Sequence, residues 1–468
     1  MMAGTLGPAA RRSIRRVLRP VAVGSAALVV LSTGVRAHVG GLSGGRESLA
    51  VPIWLVLLTA GAVIGASFLL VSMLTDRRFI AALHDWGGRY RWAPPTGGRL
   101  AGRLTGLLAL VATVVVGALG PRSPAANLAV LGVWALWWAG FTMSVYLAGN
   151  AWPLLNPWRT LVEWIPVSLD RRYPDRVGSW PSVVGLLALV WVEVTSGLTT
   201  RPTRLAGLAL VYTAITVAGG IVFGAEDWFD RADPISHVFA VYGRIAPIDR
   251  TGSGLSLGLP GSHVVTDPIA GWDDVTFVIA LLWLTTFDGF VATPTWRAIA
   301  VPLAGLGVPP IVLYGGLFVG GLGLFAAAYV LATRAARHTA GTVLSTKTMA
   351  VRFAGSLLPI AAGYHLAHYL GYFLTYLPSV GYLLTDPLSP PGRLPVFAVP
   401  SAIGTLQLAF VLVGHVVAIW IAHGVAFETL TGRLQPIRSQ YPYTAIMVAY
   451  TMVSVAIVYQ PTVTPPFL

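Results

Sequence analysis

Ten apolar segments, each long enough to cross a bilayer, constrain this chain more than any other feature. They lie near 52–75, 104–120, 127–149, 182–198, 204–224, 274–292, 309–333, 353–377, 404–427 and 443–460. A bilayer core of about 30 Å needs about 20 consecutive apolar residues of helix. Only helices and closed barrels satisfy every backbone group in lipid, and runs of this length select helices. The expected fold is therefore all-α, a polytopic transmembrane bundle of about ten helices. Composition agrees: 55% of the 468 residues are hydrophobic and only 10% are charged, against about 25% charged in a soluble domain.

Residues 1–37 read as a signal peptide or a first transmembrane helix, and 38–468 as one polytopic domain. A basic stretch, Arg11 to Pro20, precedes the apolar run Val21 to Ser32 and the cleavage-like Val35-Arg36-Ala37, which would leave His38 as the mature N-terminus. Alternating the helices from a cytoplasmic N-terminus puts 24 of the 31 Lys and Arg inside and seven outside. That bias is the positive-inside pattern and predicts a multi-pass protein of the cell membrane. It also accounts for the net charge of +13 without a nucleic-acid partner; the partner is the lipid bilayer. The chain has no cysteine and one lysine, Lys347, so disulfides, thiolate metal sites and Cys nucleophiles are excluded.

Two segments that follow membrane spans resemble each other. NAWPLLNPWRTLVEWIP begins at Asn150, and AEDWFDRADPISHVFAVYGRIAP at Ala225. In each, a Trp precedes Asn-Pro or Asp-Pro, a pairing that starts a helix. Two cytoplasmic interfacial helices are expected there. The loop from Ala225 to Trp272 carries Glu226, Asp227, Asp230 and Asp233 with His237 and His263 nearby, and reads as a solvated face with Asp233 as a helix cap.

Ionisable residues inside the spans are expensive in lipid and mark function or interhelical contact. Topology places Glu193, Asp288, His365 and His368 in the outer half, and His415 near the middle of the following helix. His423 lies eight residues from His415, about 12 Å along the helix, too far for both to bind one ion. The expected outer cluster is Glu193, Asp288, His368 and His415, with His365 beside it and His423 deeper. Two or three imidazoles and a carboxylate suit zinc, iron, copper or manganese and can activate a bound water. In that scheme His368, His415, Asp288, His365 and the deeper His423 are the candidate metal ligands, and Glu193 and Asp288 the candidate catalytic carboxylates. The spacings offer no stacked bis-His haem site. The same residues suit a transporter's transient site or interhelical contacts alone.

From Ala37 to Tyr459 the chain resembles the fenitrothion hydrolase-like integral membrane proteins. The resemblance is carried by Ala37-His38, LLNPWR (Leu154 to Arg159), YPDRVGSWP (Tyr173 to Pro181), WVE (Trp191 to Glu193), TTFDG (Thr285 to Gly289) and LLPIAAGYHLAHY (Leu357 to Tyr369). TDPL (Thr385 to Leu388), GHV (Gly414 to Val416), AH (Ala422-His423) and RSQY (Arg438 to Tyr441) follow in the same order. The family pattern has an apolar residue at the position of His365. The resemblance implies a membrane-bound hydrolase that cleaves a phosphotriester-type P–O bond in a small-molecule substrate. Family pattern and buried polar residues coincide at Glu193, Asp288, His368, His415 and His423.

Overall fold

A computed structural model describes residues 52–467 apart from 91–94, 170, 252–253, 268, 392 and 401. The leader and His38 lie outside the described residues. Each of the ten expected spans is a helix. Among the described residues, eight helices are long and apolar enough to cross a membrane. In chain order, the main helices begin with α1 (Ile53–Ser72), the short amphipathic α2 (Arg77–His84), α3 (Thr96–Leu119), α4 (Leu128–Leu147) and the short α5 (Pro157–Trp164). They continue with α6 (Trp180–Ser196), α7 (Pro202–Phe223), the short α8 (Pro234–Gly243), α9 (Trp272–Val291) and α10 (Pro294–Gly305). The last five are α11 (Pro310–Ala340), α12 (Thr346–Ala354), α13 (Leu358–Leu383), α14 (Ile403–Thr429) and α15 (Gln435–Tyr459). The other two expected spans fall outside the group of eight: α6 is only 17 residues long. Tyrosines and histidines dilute the hydropathy of α13.

α9 is the central helix. Thirteen of its 20 residues are buried, and α6, α11 and α13 pack around it. Peripheral α3 and α11 instead expose leucines and valines such as Leu108 and Val319, as lipid-facing helices do. A close crossing joins α13 to α14 through Gly363 and Gly414. A Cβ on Gly414 would stand 2.4 Å from the Pro359 carbonyl oxygen, and one on Gly363 would stand 2.6 Å from that of Phe410. Small residues permit such backbone approach where no hydrophobic effect drives helices together.

Loops assigned to the Arg-rich end by alternation do meet. Strand β1 (Gly87–Tyr90) pairs antiparallel with β3 (Gly254–Gly258), which also pairs with β2 (Ile248–Thr251). The bundle is all-α as expected, with this small sheet confined to its loops. Arg103 and Arg159 both contact Glu163, and Arg159 approaches Asp230 at 3.8 Å. At the opposite, Arg-poor end, the Val463 amide donates to the Ala292 carbonyl. The Thr295 hydroxyl donates to Gln460 at 2.6 Å.

The two repeated Asn-Pro and Asp-Pro segments start helices as expected. Asn156 Oδ1 accepts the amides of Trp158 and Arg159, and Asp233 Oδ2 accepts that of Ser236 at 2.8 Å. The helices are not both interfacial, however. Eight residues of α8 are buried, because it packs against α6 and the end of α4 as well as against the first segment. Asn156 Nδ2 and Trp152 Nε1 both donate to Ser236 Oγ. Asn156→Ala removes the cap and that cross-link together. It is expected to cost about 1–3 kcal/mol, read as a lower melting temperature in detergent.

α2 docks against the end of α14. Arg77 donates to the carbonyls of Phe427, Leu430 and Gly432, satisfying helix-terminal acceptors. His84 stacks on Trp420 with ring centroids 4.9 Å apart. Burial first, and His423 second, lower the His84 pKa from 6.5 to about 4. The unfolded chain therefore takes up this proton at higher pH than the folded chain, and stability falls as pH drops through that window. Wild-type protein is expected to lose more melting temperature than His84→Leu between pH 6.5 and pH 4.

Candidate functional site

Six helices line a cavity in the Arg-poor half of the bundle, four of them with charged or aromatic side chains. α6 contributes Glu193, α9 contributes Asp288, and α13 contributes Tyr364, His365, His368, Tyr369 and Tyr372. Positions 364, 365, 368, 369 and 372 share one face because they repeat at helical spacing. The fourth wall comes from α4, which is π-helical over Gly132–Phe141. A π stretch changes which side chains share a face. Trp138 lines the inner chamber and Trp134 the outer one.

The inner chamber is about 30 Å³, room for a water or two. The outer chamber is about 290 Å³ and reaches the exposed Thr199 and Thr462. Both are lined by Glu193, Asp288, Tyr364, His368 and Tyr369, and neither by a lysine or arginine.

Asp288 and His368 form the chemical centre. Asp288 Oδ2 stands 3.5 Å from His368 Nε2, each side chain about one-third exposed. The Tyr369 hydroxyl donates to the same Oδ2 at 3.1 Å. With Nε2 turned to the carboxylate, His368 has Nδ1 available for substrate or water. The His368 ring lies nearly parallel to that of Tyr364 and edge-on to Tyr369. Glu193 shares both chambers, lies within electrostatic reach of Asp288, and has no hydrogen-bond partner among the described residues.

Next to Asp288, Gly289 makes room for the Tyr364 hydroxyl. A Cβ there would stand 1.9 Å from that oxygen. The hydroxyl itself is buried without a protein partner.

The chain matches no family model, no curated protein and no solved structure.

The remaining histidines divide differently from expectation. His365 lines the inner chamber and is anchored through Nδ1, 3.2 Å from the Tyr146 hydroxyl. His415 lines neither chamber. Its Nδ1 lies 2.8 Å from the Val411 carbonyl oxygen of its own helix, so that nitrogen carries the proton and donates. His423 is also separate, and both of its nitrogens are engaged. Nε2 is 2.9 Å from the Leu74 carbonyl oxygen, and Nδ1 is 3.2 Å from Gln440 Nε2. His423 ties α14 to α15 and to the turn after α1.

The metal set expected from sequence therefore does not assemble as drawn. Among the described residues, no group of three or more His, Asp or Glu side chains stands close enough to hold one ion. His368, Asp288 and His415 do not converge, because the helix turn at 411–415 directs His415 into its own backbone.

The acidic loop cluster is likewise structural where it is buried. Asp233 is 1% exposed and receives the Tyr212 hydroxyl in addition to capping α8. The sequence reading missed the aromatic walls. Their signal was present in YHLAHYLGY, where Tyr recurs at one-face spacing with the histidines. Counted only as apolar span residues, those tyrosines carried no functional weight.

Proposed function

We propose that this protein is a membrane-embedded hydrolase that attacks an uncharged ester, of the phosphotriester type, with water activated by His368. The observation that carries the reading is the Asp288–His368 pair, 3.5 Å apart, in the wall of a chamber open at the Arg-poor end. A positioned imidazole accepts the proton of attacking water at Nδ1, and Asp288 stabilises the imidazolium from Nε2. The water oxygen bonds to phosphorus and the P–O bond to the leaving group breaks. The imidazolium then returns that proton to the departing oxygen, and Glu193 adds a second carboxylate beside the pair. Tyr369 positions Asp288 through its 3.1 Å hydrogen bond, and the unpartnered Tyr364 hydroxyl is a donor for the phosphoryl oxygen.

The walls favour a triester over its charged relatives. Phosphate mono- and diesters are anions and are ordinarily held by Lys, Arg or metal. Two carboxylates and no lysine or arginine would repel them, whereas a triester brings no net charge. The resemblance to the fenitrothion hydrolase-like proteins points to the same substrate class.

Purified protein turning over a chromogenic phosphotriester, with full activity after exhaustive chelation, is the expected result. Activity lost on chelation and restored by zinc, copper, iron or manganese would replace this reading with a metal-dependent one. Uptake of the triester into proteoliposomes without product formation would replace it with transport.

A further inference from the structure

We infer that the outer chamber is a binding site for an organic ammonium ion. Its wall combines two carboxylates, Glu193 and Asp288, with four aromatic side chains, Trp134, Tyr364, Tyr369 and Tyr372, and contains no lysine or arginine. Aromatic faces carry negative electrostatic potential, and such cages recognise ammonium groups. The low dielectric of the surrounding helices strengthens attraction to the carboxylates. Tyr364, 2% exposed, lines the same wall, and its buried hydroxyl has no protein partner. Glu193, with no hydrogen-bond partner among the described residues, is free to face the ligand. At about 290 Å³ the chamber is at the small end of ligand pockets, which run from roughly 300 to 1,000 Å³. It therefore suits a headgroup-sized cation. Exposed Thr199 and Thr462 place its mouth at the Arg-poor end, open to amines in solution and to choline headgroups of lipids.

Ammonium binding needs no hydrolytic step, so it is measured independently of turnover. The full chain in phosphatidylglycerol nanodiscs is titrated calorimetrically with choline and with 3,3-dimethylbutan-1-ol, which has the same shape without the charge. Choline is expected to bind at least about tenfold more tightly than the alcohol. The combined Glu193→Gln and Asp288→Asn substitutions are expected to remove that preference. Tyr372→Leu is expected to weaken choline several-fold with an unchanged melting temperature. Repeating the titration in phosphatidylcholine nanodiscs separates the sources. Reduced apparent affinity identifies the lipid headgroup as the natural competitor, and unchanged affinity identifies a soluble amine. Equal affinity for choline and the alcohol overturns the assignment, as does undetectable choline binding by protein with a normal melting transition. Unchanged choline affinity in the carboxylate double variant overturns it as well.

Discussion

His368→Ala is expected to lower kcat/KM for a phosphotriester by about 10²- to 10⁴-fold, the range for removing a positioned general base. The folded protein should survive the change, because the ring is one-third exposed and lines a cavity instead of filling the core. Asp288→Asn should fall in the same direction by a smaller factor. The amide keeps an acceptor for the Tyr369 hydroxyl but loses the charge that stabilises an imidazolium. Steady-state kinetics with a melting curve on each variant checks both. His415→Ala is the internal control: His415 lines neither chamber, so turnover by its folded fraction should be retained. Equal loss in His368→Ala and His415→Ala would mean that general structural damage, and not loss of a base, had been measured.

Gly414→Val should produce the largest stability effect. Its first side-chain carbon alone would sit 2.4 Å from the Pro359 carbonyl oxygen and 3.1 Å from Gly363 Cα. Backbone atoms on both sides leave no flexible neighbour to yield, so α13 and α14 must separate. Overpacking of this kind costs on the order of 3 kcal/mol. Because α13 carries His365, His368 and the tyrosines, the separation should also misplace the site. Thermal denaturation and the yield of monodisperse protein in detergent report the first effect, and turnover by the folded fraction reports the second. Val413→Ala provides the contrast, since Val413 is exposed and its truncation should change little.

Much of the bundle was legible because lipid makes hydrophobicity nearly decisive. The ten apolar segments emerged from run length, and Arg159, Arg231 and Arg77 fell on one side by alternating them. Asn156 and Asp233 announced helix starts because a capping side chain followed by proline has a local cause. The buried position of α8 was hidden, since nothing in its own sequence says that Asn156 and Trp152 will reach Ser236. The β-sheet was hidden for a similar reason, as its pairing joins distant loops.

Glu193, Asp288 and His368 were recoverable from their cost in lipid. His415 carried the same signal and belongs elsewhere, because cost identifies a polar residue but not the direction in which its helix face points. The π stretch in α4 adds to the difficulty. A 3.6-residue wheel does not describe the π-helical stretch Gly132–Phe141.

The sheet at the Arg-rich end also sets an order of events during synthesis. Gly87–Tyr90 must wait for Gly254–Gly258, and His84 must wait for Trp420. At a translation rate of about 5–20 residues per second, the first delay lasts about 8–30 s. Through that interval a strand edge and a half-docked amphipathic helix stand at the membrane surface without their partners. Completion of this end is thus tied to emergence of the middle and last thirds of the chain, and an arrested nascent chain would display both elements to chaperones or to proteases.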